Sequence, residues 1–150
     1  MKLTAEIKKY IDKSVLCWLA TASKDNVPNV SPKEIFSYYK TNNIIIANIA
    51  SPQTVKNIRQ NKEVCISFID VLVQKGFQLK GKAQVLEKTN PEFEEMNVIL
   101  QKLANGKFPF ATITKISIEK YKPIIAPKYL LYPETTEKEQ IKSAKKLYSL

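Results

Sequence analysis

Between Phe77 and Val85 the chain alternates without a break: positions 77, 79, 81, 83 and 85 are apolar or small, and Gln78, Lys80, Lys82 and Gln84 between them are polar. A period of two is that of a strand with one dry face and one wet face. Val15–Thr21, Ile44–Ile49, Val64–Asp70 and Phe110–Tyr121 are further strand-like runs, the first apolar enough to be expected buried on both faces. Short turn-forming stretches separate several of them, such as Ser23-Lys24-Asp25-Asn26 and Thr41-Asn42-Asn43. Strands joined by short turns pair antiparallel, and edges this apolar must be protected, so closure into a barrel is expected.

The segment from Val27 to Tyr39 is expected to be one bent or edge strand, because Pro28 and Pro32 cannot sit inside a regular ladder. Its backbone groups would then be free to meet a ligand. Helices are signalled by their starts. Thr4 can cap a helix reaching Lys13, and Ser51-Pro52 opens one reaching about Gln60. Asn90-Pro91-Glu92 opens another, ending before Gly106, and Thr136 with Glu139 forms the pattern of a capping box. The expected fold is mainly β with flanking helices, an antiparallel barrel over residues 1–150 as one domain, with a C-terminal helical tail from about 122.

The chemistry is bounded by what is missing. The chain has no histidine, which excludes Ser-His and Cys-His pairs and His-ligated metal or haem. Cys17 and Cys65 lie in separate apolar runs with no partner motif, and are expected to be reduced thiols rather than a zinc site or disulfide. No apolar run nears the roughly 20 residues of a membrane-crossing helix, and the charged start does not resemble a secretion signal, so a cytoplasmic protein is expected. The net charge of +10 comes almost wholly from lysine, Arg59 being the only arginine. That field favours anionic ligands, and it admits nucleic acid as an alternative partner, although the lysines are spread along the chain.

One place suits an anion. Ala50-Ser51-Pro52-Gln53-Thr54 puts free backbone N–H groups at a helix start beside two hydroxyls, with Lys56 and Asn57 one turn on and Lys33 in a neighbouring strand. Trp18 is expected in the core or in the core of a dimer. Lys128, Tyr129 and Tyr132 either line a pocket or dock the tail to the barrel. Isolated carboxylates such as Glu34, Asp70 and Glu87 suggest no general acid or base.

Four stretches in order, Leu19-Ala20-Thr21, Asn26 to Pro32, Ser51 to Asn61 and Leu79 to Ala83, resemble the pyridoxamine 5′-phosphate oxidase-like family of FMN-binding split barrels. The resemblance implies an antiparallel split β-barrel and a homodimer with FMN where the subunits meet. It places the flavin ring along Asn29, Val30, Ser31, Pro32 and Lys33 and along Ala47, Asn48 and Ile49. It places the phosphate at Ser51, Gln53 and Thr54, supported by Lys56 and Asn57, with Gln78 and Lys80 near the site, from either subunit. It further implies an oxidoreductase acting on a small molecule, with a donor such as NAD(P)H, or else a flavin-binding module without catalysis.

Two departures qualify what the resemblance implies. Gln53 stands where many relatives carry a basic residue, so the charge on the phosphate must come from Lys33, Lys56 or a neighbour. The absence of histidine, and of arginine after Arg59, removes the substrate-holding pair of true pyridoxine-phosphate oxidases and argues against the haem-degrading branch of split barrels.

Overall fold

The computed structural model describes all residues 1–150. The helix α1 (Ala5–Lys13) is capped by the Thr4 side chain, which accepts from the Ile7 N–H, and it buries Ile7, Tyr10 and Ile11. Strands β1 (Cys17–Ala22), β2 (Pro28–Lys33), β3 (Phe36–Tyr39) and β4 (Asn43–Ala47) follow, then α2 (Pro52–Gln60). Strands β5 (Glu63–Asp70) and β6 (Lys75–Glu87), helix α3 (Phe93–Ala104) and strand β7 (Thr112–Ile125) lead to α4 (Pro127–Leu131) and α5 (Glu137–Leu147).

All seven strands form one antiparallel sheet in the order β2-β1-β5-β6-β7-β4-β3. Its two edges, β2 and β3, are consecutive in the chain and joined only by Glu34 and Ile35. Three virtual bonds of 3.80 Å bring Lys33 and Phe36 within about 11 Å. The sheet must therefore curl until its edges nearly meet. They do not pair with each other, which leaves a seam and makes the barrel a split one.

The core lies on both faces of this curl, the α1 cluster inside it and the α3 cluster on the outer face. One cluster joins α1 to β1, β5 and β6 through Ile7, Tyr10, Leu19, Ile66, Phe68 and Phe77, and a second packs α3 on β4 and β7 through Met96, Leu100, Ile45 and Ile113. The alternation seen between Phe77 and Val85 holds, with the odd positions turned inward and Lys80, Lys82 and Gln84 exposed. Gly81 lies where β6 crosses β7 at a register shift, and a Cβ there would stand 2.1 Å from the Ser117 carbonyl oxygen.

Three expectations need correction. Residues 27–39 are two strands at opposite edges of the sheet, not one bent strand, although the prolines do mark an edge. The first strand is not buried on both faces: Cys17, Leu19 and Thr21 point inward, while Trp18 is 49% exposed on the outer face. There it lines a shallow, mostly apolar depression with Lys13, Val15, Leu16, Ile69 and Val71. The short helix α4 was not expected, because Pro127 and Pro133 read as punctuation of an extended segment.

Candidate functional site

Where the seam meets α2, a cavity of ≈ 330 Å³ is lined by Asn29, Ser31, Pro32 and Lys33 from β2, Ile49 and Ala50 after β4, and Ser51–Thr54 at the helix start. Ala50 adopts a left-handed backbone (φ 49°), an uncommon conformation for a residue with a Cβ, and it turns the chain sharply into the helix. Pro52 has no N–H, and the Ser51 side chain caps nothing. The first N–H groups of α2 are therefore left without intrahelical partners.

The Ser51 hydroxyl is engaged elsewhere. It donates to the Ile49 carbonyl at 2.9 Å and accepts from Lys33 Nζ at 2.6 Å. Lys33 Nζ also donates to Thr54 Oγ1 at 3.0 Å, and Thr54 shares a 3.3 Å hydrogen bond with Ser31. Lys33 is only 5% exposed and forms no ion pair with any carboxylate. Burial holds its ammonium below the ordinary lysine range. An ammonium has three N–H donors, and two are spent on hydroxyls. A buried cation with one donor in hand and no counter-charge, beside free helix N–H groups, is built to take an anion.

The cradle opens into a second cavity of ≈ 200 Å³ lined by Pro32, Lys33, Glu34, Ile35, Ala47, Ile49 and Phe108. Pro32, Lys33 and Ile49 belong to both. Its walls are mostly apolar, and Phe108 reaches it from the loop after α3, where Asn105 and Gly106 both have positive φ and turn the chain back. Sequence reasoning found the end of that helix at Gly106. It had no signal for where the returning loop would place Phe108.

Of the residues singled out from the sequence, Asn29, Ser31, Pro32, Lys33, Ala47, Ile49, Ser51, Gln53 and Thr54 line these two cavities. The others lie elsewhere. Val30 faces outward and is exposed. Asn57 is buried, with Nδ2 donating to Thr21 Oγ1 at 2.9 Å and Oδ1 accepting from Gln53 Nε2 at 2.8 Å, so it ties α2 to β1. Asn48 is held by Thr112 and Thr114. With Lys56 it lines a different groove, on the far side of Ser51 and Pro52. Gln78 and Lys80 sit on the outer face beside Lys120, Tyr121 and Lys122, three strands from β2.

The C-terminal tail docks to the barrel. Tyr129 donates to the Val73 carbonyl at 2.7 Å, Lys75 Nζ lies 4.4 Å from the centre of its ring, and Lys75 pairs with Glu137 at 3.0 Å. Lys128, Tyr129 and Tyr132 line neither cavity. Cys17 is a buried free thiol and Cys65 a half-buried one. No group of side chains is arranged to hold a metal, and no helix is long and apolar enough to cross a membrane.

A curled antiparallel sheet split along one seam, with flanking helices and a lysine-lined cavity where the seam meets a helix start, defines a split-barrel protein. Residues 3–140 match the family model described as pyridoxamine 5′-phosphate oxidase, and the chain belongs to that family. An uncharacterized protein of Methanocaldococcus jannaschii is 31% identical over 86 residues, and the chain spans about half of that relative's length (56%), as the match does of this chain. The crystal structure of HupZ from Group A Streptococcus superposes with a TM-score of 0.71 at 23% identity, over 83% of this chain and 95% of that one. An FMN-binding protein from Syntrophomonas wolfei superposes with a TM-score of 0.66 at 15% identity, over 79% and 83% of the two chains. These two similarities show the shared fold.

Proposed function

We propose that the protein binds FMN, with the phosphate on the Lys33 cradle and the ring in the adjoining apolar cavity, and uses it as an oxidoreductase. The observation that carries this reading is Lys33, a buried cation with hydroxyl partners and no carboxylate. The donor set fits a phosphate dianion: one free ammonium N–H, the first N–H groups of α2 and the hydroxyls of Ser31 and Thr54. Gln53 bonds Asn57 and leaves the charge to Lys33.

When bound, the flavin supplies reversible uptake of a hydride or of single electrons. The protein's share is to orient and to exclude water. Ile35, Ala47, Ile49 and Phe108 give the ring cavity its apolar surface, and Glu34 is the only carboxylate on its wall. With no histidine in the chain and no paired acids in the cavity, a hydride donor such as NAD(P)H and a small acceptor fit better than acid–base chemistry on a substrate. The scarcity of titratable groups favours one second reading, a flavin-binding module without turnover.

The homodimer belongs to the same proposal. Trp18, Val30, Ile69 and Val71 are exposed apolar side chains on or beside the outer face of β2, β1 and β5, a surface suited to a second copy.

The visible spectrum of the purified protein, followed by titration with FMN and with riboflavin, tests the binding. FMN is expected to bind at least about tenfold tighter than riboflavin, since a charge-assisted phosphate contact is worth about 1.5–3 kcal/mol. A colourless protein indifferent to FMN refutes the reading. Steady-state NAD(P)H oxidation with quinone and nitro acceptors then separates enzyme from module. Sedimentation of the protein reads the dimer directly.

A further inference from the structure

A second cationic place lies on the outer face of β6 and β7, three strands from β2 and its cradle. There Gln78, Lys80, Lys120, Tyr121 and Lys122 line an open pocket of ≈ 200 Å³. The register sets Lys80 directly opposite Lys120 and Gln78 opposite Lys122, so four polar side chains form a rectangle on one face of the sheet. Sheet geometry gives its sides, about 5 Å between the strands and about 7 Å between alternate residues along each. Like charges directly opposite each other destabilise a strand pair. Here three ammonium groups share one small rectangle.

Nothing in the chain neutralises them. Strands β6 and β7 carry six lysines, and three are matched: Lys75 by Glu137 at 3.0 Å, Lys82 by Glu63 and Glu119 at 3.9 and 3.7 Å, and Lys115 by Glu92 at 2.6 Å. The other three are Lys80, Lys120 and Lys122, all exposed and none with a carboxylate within 4.0 Å. The backbone takes part in this separation. The register shifts between Lys80 and Gly81, which leaves Glu119 as the extra residue of a β-bulge beside Lys120. Its carboxylate reaches Lys82 instead of the unmatched three. Tyr121 adds a half-exposed ring to the wall, held edge-on against Phe77 with the ring centres 6.0 Å apart.

We propose that this pocket binds a compact oligophosphate, two or three linked phosphates whose charges meet the three ammonium groups together. The patch is bounded, and that favours a small ligand over a polymer: Lys82 is neutralised at one end, and Pro123 and Ile124 follow Lys122 at the other. A free inorganic oligophosphate and the phosphate chain of a nucleotide present the same chemistry to these lysines, and Tyr121 can tell them apart by stacking on a base. The proposal uses no residue of the cradle and does not depend on the flavin reading.

Calorimetric titration of the full chain with inorganic triphosphate, at low salt and without divalent cations, tests it against orthophosphate. Triphosphate is expected to bind at least about tenfold tighter than orthophosphate. Lys80→Gln, Lys120→Gln and Lys122→Gln are each expected to weaken it about fivefold, the scale of an exposed charge contact, and Lys24→Gln in the turn before β2 to change nothing. Lys120→Gln also removes one member of the opposed pair, so the Tm of the ligand-free variant should hold or rise, and its lost affinity is not a lost fold. Adenosine triphosphate binding tighter than inorganic triphosphate identifies a nucleotide, and equal affinities identify the free oligophosphate. Triphosphate binding no tighter than orthophosphate overturns the proposal, as does an affinity that the three substitutions lower no more than Lys24→Gln does. Loss of binding in Lys33→Met overturns it by returning the anion to the cradle. A dT oligonucleotide that displaces triphosphate through the same three lysines overturns it in favour of a polynucleotide.

Discussion

Replacing Lys33 by methionine separates what the residue does for the fold from what it does for a ligand. The apolar stem is kept in length and volume, and only the ammonium is lost. If Lys33 were a structural tie, two charge-assisted hydrogen bonds of about 1.5–3 kcal/mol each would disappear, a loss of at least about 3 kcal/mol. The geometry points the other way. Ser51 keeps its bond to the Ile49 carbonyl and Thr54 keeps Ser31, so neither hydroxyl is orphaned. A buried cation without a counter-charge is removed as well, which relieves a desolvation cost. The sign follows from the lowered pKa: the cost is present wherever the ammonium is protonated in the folded state, and it fades as pH rises through the folded and then the unfolded pKa. At pH 7 the ligand-free variant should stay within about 1 kcal/mol of the wild type, or about 2–4 °C in Tm. FMN affinity should fall roughly 10–150-fold, and riboflavin affinity should hold. Urea melts and flavin-fluorescence titrations measure both. A Tm drop beyond about 8 °C together with an unchanged FMN-to-riboflavin ratio would refute the assignment of Lys33 as an anion ligand.

Three further outcomes are expected. Lys115 and then Lys40 hold the Glu92 carboxyl down at about 2, so its stabilisation is complete above the ordinary glutamate pKa and is lost as pH falls toward 2. Glu92→Gln should therefore cost about 1 kcal/mol at pH 7, a value discounted for exposure, and flatten the acid limb of the stability curve measured by urea melts. Phe108→Ala should weaken riboflavin and FMN alike, by about tenfold or less, while leaving the Tm within about 2 °C, because the side chain covers the ring cavity and little of the core. Gly81→Ala must displace the Ser117 carbonyl from a 2.1 Å approach, and a loss of about 2–3 kcal/mol is expected by thermal melt.

The parts of this structure legible in the sequence are those decided locally. Thr4 and the Thr136–Glu139 box mark helix starts because caps act within one turn, Pro52 marks one because its fixed φ suits the first helical position even though Ser51 caps nothing, and the alternation of β6 follows from the pleat. What was not legible depends on long-range closure. Nothing near Glu34 and Ile35 says that the strands on either side of them go to opposite edges of the sheet. The apolar run around Trp18 reads as buried because periodicity cannot tell an unclad outer face from a core. The same holds at the site: Lys33 could be placed near the helix start, but its burial and lack of a counter-charge exist only once β2 is packed on α2. Phe108 arrives from a loop whose path is set by two left-handed residues after α3.

The seam between β2 and β3 has a consequence for motion. Each of these strands is paired on one side only, so the amides facing the seam have no ladder partner across it. Here the barrel can open without breaking a strand pair, at a free energy well below that of global unfolding. Hydrogen–deuterium exchange should be fastest along this line in the ligand-free protein. A ligand lodged against Asn29–Lys33 and Ile49–Thr54 would slow exchange there first, acting as the clasp that the two edge strands lack.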